Sequence, residues 1–400
     1  MKTLCFILLT ALACWRQTGI HEQIRSETDS IYDKLIRIRR DFHANPELAG
    51  NEIHTQAFIK QYLLNLGLEV QTDIYGYSLV GILKGSKPGK QIAWRAEMDA
   101  LPNNFPDEVP FKSIIKGVQH SCGHDVHMAV ALGIAEVLAK HRASLAGTVY
   151  FIFQSEEETF QGARGMIDHQ LFSVIHPDEI YALHVTVLPV GVMMVKPNEM
   201  FAYQKRVRIK LKEGDAEELS AKIYSSLSRV PANSKPWEIQ HIGDRDLGLI
   251  NPNTIFKDYL IMDQPFNSYT QNDSLFLETY LYETNAANLQ KIIPGIKQLV
   301  GGDVSFIQEN PTVVNDEELT KNAVNTLRKI YGNNIIVPDY GQVPYFNDDF
   351  AYFQQKVPGV YFFLGGSNVV NHAPGFKVDE ESIRVGVRSF SSLMIERLRE

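Results

Sequence analysis

The stretch HSCGHDVHMAVALGIAEVLAKHRASLAGTVYFIFQSEEE, residues 120–158, decides the fold class. Its middle, Met128 to His141, repeats apolar residues three and four apart, the period of a helix that buries a face. The run from Thr148 to Gln154 is apolar and rich in β-formers, as a strand covered on both faces requires. Ionisable side chains gather at the two outer ends: His120, Cys122, His124, Asp125 and His127 before the helix, and Glu156, Glu157 and Glu158 after the strand.

The alternation continues outward in both directions. Short β-rich runs occur at Ser78 to Leu83, Gln91 to Arg95, Glu179 to Val185 and in VPGVYFFLGG, residues 357–366, with turn signals between them. Helical spacing covers Glu22 to about Leu66, interrupted by HANPELAGNE, and returns at Glu317 to Ile330 and Glu380 to Leu398. Strands that alternate with helices predict an α/β domain with a mostly parallel central sheet, and sites in such sheets collect at the carboxyl ends of strands. Between residues 199 and 309 the pattern changes. Strands are expected at Lys205 to Lys212, Trp237 to His241, Phe256 to Met262, Leu275 to Tyr282 and Val304 to Gln308, with helices at Ala216 to Leu227 and Ala286 to Leu299. This order is a compact α+β unit of its own. The expected division is therefore 1–20 as a signal segment, 21–198 with 310–400 as the site-bearing domain, and 199–309 as an inserted smaller domain.

Composition bounds the function. The chain has 400 residues, 44% hydrophobic and 22% charged, an ordinary globular balance. A formal charge of -8, with no Lys/Arg-rich run, argues against a nucleic-acid partner. Three cysteines, Cys5, Cys14 and Cys122, exclude a disulfide framework. The opening MKTLCFILLTALACW has the layout of an export signal and is too short to span a bilayer as a mature helix. A cut near Ala13 and lipid attachment at Cys14 both fit it, the second giving membrane attachment, and an uncleaved N-terminal helix is the remaining alternative. Export predicts a periplasmic, secreted or envelope-anchored protein whose folded body keeps Cys122 as its one thiol.

The dense cluster is ligand chemistry. Thiolate and imidazole suit borderline metals such as zinc, and a turn at a helix start lets ligands two apart converge. Three adjacent carboxylates at a strand end repel one another unless a cation offsets them. A metal would hold one as a ligand and leave another to move protons, as metal-assisted hydrolysis needs. His184 in IYALHV and His372 in NHAPGF stand where other strands of the layer end.

Taken in order, RRDFHANPELAGNE, RAEMDALP, HSCGHDVH, FQSEEE with GARGMI, ALHVTVLPVG, NDDFAYFQQKVPGVYFFLGG and NHAPGFKVDEESI resemble the amidohydrolase branch of the co-catalytic metallopeptidases. That branch includes hippurate hydrolase, N-acyl-amino-acid deacylases and auxin-conjugate hydrolases. The resemblance implies two divalent ions, zinc or manganese foremost, with Cys122 bridging them, His124 and His184 on one, and Glu158 and His372 on the other. It implies Glu157 as the general base, Asp99 orienting the site from behind, and a lid domain that often dimerises. The implied reaction is hydrolysis of an amide or peptide bond in an N-acyl amino acid or small peptide-like substrate.

The lid departs from the family. Relatives carry a histidine in the turn after the first lid strand, whereas RIKLKEGDAEELSAKI has none, and His241 in EIQHIGD is the lid's one histidine. Nor does an arginine align where relatives bind the substrate carboxylate, so no substrate-binding residue is assigned. Glu97 stands where relatives have aspartate, Asp348 where they have glutamate, and Ser155 and Glu156 replace a Pro-Ala pair. The first two changes conserve charge, and the extra acid Glu156 should make the site more negative. A metal-retaining binding or assembly protein with a diverged lid and little turnover is the alternative function.

Overall fold

A computed structural model of the chain describes residues 2–230 and 242–400, with side chains from Gly19 onward. In chain order the elements used below are α1 (Lys2–Ala44), α2 (Ile53–Asn65), β1 (Glu69–Gln71), β2 (Leu79–Lys84), β3 (Lys87–Glu97), α3 (His124–Lys140), β4 (Ala146–Gln154), α4 (Gly162–Asp168), β5 (Glu179–Thr186) and β6 (Met193–Met194). They continue with β7 (Tyr203–Leu211), α5 (Ala216–Leu227), β8 (Leu260–Met262), β9 (Asn267–Gln271), β10 (Ser274–Glu283), α6 (Ala286–Val300) and β11 (Asp303–Gln308). The last are α7 (Glu317–Tyr331), β12 (Ile336–Val337), β13 (Gly359–Gly365) and α8 (Glu381–Arg397). Two compact units result: residues 1–194, 318–337 and 357–400, and residues 195–317 with 338–356.

The first unit is built on an eight-stranded sheet in the order β1-β2-β4-β3-β5-β13-β6-β12. Its centre, β4-β3-β5-β13, is parallel, while β1, β2 and the β13-β6 pairing are antiparallel. β4, β5 and β13 are almost wholly buried and mostly apolar because helices cover the sheet, as parallel sheets require. Helices α1, α3 and α8 pack on one another. On α1, His21, Ile24, Thr28, Ile31, Leu35, Ile38 and Phe42 form a buried stripe that alternates steps of three and four, flanked near its end by buried Arg39 and His43. Residues 2–20, the expected signal segment, continue the same helix. No described helix is long and apolar enough to cross a membrane.

The second unit has an antiparallel sheet, β8-β10-β7-β11, with β9 also paired to β10. Its core joins Val207, Ile209, Leu277 and Leu281 from the strands to Ile223 of α5 and Ile292 and Ile296 of α6. The expected insert at 199–309 lies within this unit, which also includes 338–356. Backbone bonds explain that addition: Tyr340 N–H donates to Leu249 O at 2.8 Å, Gln342 N–H to Phe256 O at 2.9 Å and Ala202 N–H to Val343 O at 3.1 Å.

Two element expectations need correcting. Phe256 to Met262 is a strand only from Leu260, because the Phe256 N–H goes to Thr254 Oγ1 at 3.2 Å and its carbonyl to Gln342. The strand β9 was not expected from its polar sequence NSYTQ. The strand expected at Trp237 to His241, and His241 itself, lie outside the described residues.

Candidate metal centre

The groups expected to carry chemistry all lie in the first unit, at carboxyl ends of central strands or at the start of α3. β3 leads to Asp99, β4 into Glu157 and Glu158, β5 carries His184 near its end, and the loop after β13 carries His372. Gly123 caps α3 with φ +97°, and a Cβ there would lie 2.4 Å from Val185 Cγ2. Only glycine allows that turn, which brings Cys122 and His124 to one point.

Two ligand-type triads share the thiol. Cys122, His124 and His184 form one, and Cys122, Glu158 and His372 the other, the donor atoms within each lying within 4.8 Å of one another. Cys122 Sγ is 3.2 Å from His184 Nε2, and His372 Nε2 is 3.2 Å from Glu158 Oε1. Glu157 Oε2 stands 3.8 Å from His124 Nε2. All the predicted ligands and the predicted base are thus brought together.

The surrounding hydrogen bonds fix the orientation of the imidazoles. His124 Nδ1 bonds the Asp99 carbonyl at 2.8 Å, and His184 Nδ1 the Val185 carbonyl at 2.7 Å. A carbonyl only accepts, so each ring donates from Nδ1 and turns its Nε2 inward. His124 Nε2 is buried with no hydrogen-bond partner. Asp99, fully buried, accepts the Glu157 N–H at 3.1 Å and the Glu158 N–H at 3.0 Å, one on each oxygen. Burial pushes the Cys122 thiol well up, with Glu158 and Glu157 adding to it, and burial pushes the His184 imidazole well down. An orphaned buried imidazole nitrogen, a neutral imidazole and a thiol beside carboxylates fit divalent cations of borderline softness.

Residues 93–396 match the model of peptidase family M20/M25/M40. The chain belongs to that family. It is 30% identical to the putative amidohydrolase YhaA of Bacillus subtilis, over 94% of this chain and 98% of that one. It is 31% identical to thermostable carboxypeptidase 2 of Saccharolobus solfataricus, again over 94% and 98%. A crystal structure of the Bacillus subtilis YXEP protein, described as a dinuclear metal-binding peptidase of the M20 family, is similar at TM-score 0.76 and 26% identity, covering 93% of this chain and 99% of that one. This M20 chain is accordingly a hydrolase acting on carbon–nitrogen bonds, and its mixed α/β fold is the family's.

Other residues singled out in the sequence take supporting positions. His127 joins Glu97 and His124 in a further cluster of ligand-type atoms, but both its nitrogens are engaged. Nε2 accepts the Val185 N–H at 3.0 Å, so Nδ1 donates to Glu97 Oε2 at 2.8 Å. Against complete burial, Arg95 and His127 hold the Glu97 carboxyl well below the usual range. Asp125 is likewise buried and held low, with Arg39 Nε and His43 Nδ1 both 2.8 Å from its Oδ2. His120 lies in a pocket wall with Asp107, Phe105 and Phe376, and burial lowers its pKa to about 3. Neither His120 nor Asp125 falls in a ligand-type cluster among the described residues. Glu156 turns its carboxylate toward Tyr75, 3.4 Å from the hydroxyl, and its N–H toward Glu52.

Sequence reasoning gave no role to Arg39, His43 or Glu52. Their motif, RRDFHANPELAGNE, was visible as a family mark, yet Asp125 is 82 residues from His43 and Glu156 is 104 from Glu52, beyond any local spacing rule. In the second unit, the turn after β7 has Asp215, whose Oδ1 accepts the Glu217 and Glu218 N–H groups and caps α5.

Proposed function

We propose that this protein hydrolyses the amide or peptide bond of an N-acyl amino acid or small peptide-like substrate, using two divalent ions, zinc or manganese foremost, with Glu157 as general base. The observation that carries the reading is the pair of triads sharing Cys122, with the Glu157 carboxylate beside both. Two divalent ions held by those triads would supply Lewis acidity, acidifying water and polarising the scissile carbonyl.

The chain's own residues do the rest. Asp99 fixes the backbone of Glu157 and Glu158, so that one carboxylate is held for ligation and its neighbour for proton transfer. Glu157 takes a proton from the water that adds to the carbonyl carbon and delivers it to the nitrogen as the carbon–nitrogen bond breaks. The exclusion of solvent is partial: Glu157 is only 6% exposed, whereas the His372 side chain is 48% exposed and marks the open side. Export of a mature chain beginning near Cys14, with or without lipid, and pairing of two copies through the second unit are further proposals, supported by sequence alone.

Glu157→Gln tests the reading against a panel of N-acyl amino acids and dipeptides with added zinc, manganese or cobalt. Expected is a loss of about 10² to 10⁴ in kcat with both ions retained. If wild type and variant are equally inert while both bind two ions, the enzyme reading fails for this substrate class and the binding-protein alternative takes its place.

A further inference from the structure

One contact to the shared thiol comes from a residue outside both triads, the asparagine that opens the NHAPGFKVDEESI motif. Asn371 Nδ2 lies 3.4 Å from Cys122 Sγ. The next residue, His372, donates its backbone N–H to Ser121 O at 2.9 Å, so the 371–372 segment is tied to the Ser121–Cys122 segment by one backbone and one side-chain bond. His372 has φ +60°, a conformation uncommon for a residue with a side chain, and one that persists when neighbouring contacts hold it. A thiolate is an acceptor without a proton to donate, and the asparagine amide has donors on Nδ2 alone. The orientation of the amide is thereby fixed, with Oδ1 turned away, buried and without a partner.

We propose that Asn371 is a positioning residue for the shared thiolate: its amide N–H donates to Cys122 Sγ, aims the sulfur between the two ligand triads and fastens the His372 loop to the Cys122 turn. The proposal rests on the reading of Cys122 as the shared metal ligand. Outer hydrogen bonds of this kind orient ligands, and their loss typically costs about 10- to 100-fold in metal affinity.

The test uses full-length protein and the metal alone. Zinc affinity is measured by chelator competition for wild type, Asn371→Leu, Asn371→Asp and Cys122→Ala, with circular dichroism of the stripped forms to check folding. Asn371→Leu removes the donor and should weaken binding by about 10- to 100-fold. Asn371→Asp keeps the shape but presents carboxylate to sulfur, and should weaken it further. Cobalt-loaded protein gives a readout that a merely structural role would leave unmoved. Without the N–H the sulfur lone pairs rise in energy, so the thiolate-to-cobalt charge-transfer band of Asn371→Leu should shift to longer wavelength. An unmoved band, or unchanged zinc affinity in both Asn371 variants while Cys122→Ala loses zinc, overturns the proposal alone. Undiminished zinc binding by Cys122→Ala overturns the reading beneath it.

Discussion

Asp99 links three parts of the centre through separate atoms. Its two carboxylate oxygens accept the N–H groups of Glu157 and Glu158, and its carbonyl accepts the Nδ1 proton of His124. Asp99→Asn keeps the size and the carbonyl but turns one amide N–H toward a backbone N–H, leaving a buried donor facing a donor. The unmet group costs about 1–3 kcal/mol and displaces the Glu157–Glu158 turn. Expected is a kcat reduced by about 10- to 100-fold with zinc stoichiometry near wild type, measured by steady-state kinetics and elemental analysis. A variant with wild-type kcat would show that the turn holds its shape without the carboxylate. That this region suits a metal was legible from residue types, thiolate and imidazole in HSCGHDVH and adjacent carboxylates in FQSEEE, whereas the choice of five ligands came from the family resemblance. Within that cluster chemistry alone did not separate ligand from support. His127 and Asp125 are as ligand-like as His124, and only their bonds to Val185 and Glu97, and to Arg39 and His43, remove them.

At the scale of elements, periodicity located what packing dictates. The α5 helix occupies Ala216–Leu227, the range its spacing predicts; β3, β4 and β5 extend their expected ranges by a few residues, and β13 falls inside its own. β9 was missed because NSYTQ has no apolar face. The signal was in the turn, where Asn272 and Asp273 both have positive φ, 49° and 54°, and close a two-residue hairpin onto β10. Just beyond β8, Asp263 gives a prediction of opposite sign to a paired carboxylate. Burial raises its pKa from 3.8 to about 6. A carboxyl whose folded pKa exceeds its unfolded value binds more protons when folded, so its contribution to stability is greatest below about pH 3.8 and falls as pH rises through about 6. Asp263→Asn removes that dependence. If the charged form costs on the order of 1 kcal/mol after solvent screening, the variant should melt about 2–4 °C above wild type at pH 8 and at the same temperature near pH 4. An equal difference at both pH values would mean that the effect is packing and not charge.

For the whole molecule, the five proposed ligands come from four places in the chain: the turn before α3, the end of β4, the end of β5 and the loop after β13. Ions bound there would join ends of the first unit's sheet that the backbone connects only through long crossovers. None of the five belongs to the second unit. Metal should therefore stabilise unevenly. A ligand present at about 100 times its Kd adds about 2.7 kcal/mol to the folded state that binds it. Zinc added to stripped protein should slow hydrogen exchange in peptides covering residues 120–127, 155–160, 183–186 and 371–373, while peptides from β7 and β10 keep their rates. Cys122→Ala should lose the response at all four segments together, because the shared sulfur belongs to both triads. Protection that rose equally in β7 and β10 would mean that the ions stabilise the chain globally. Protection confined to one triad in wild type would mean that a single ion binds, and Cys122 would then be an ordinary ligand with no bridging role.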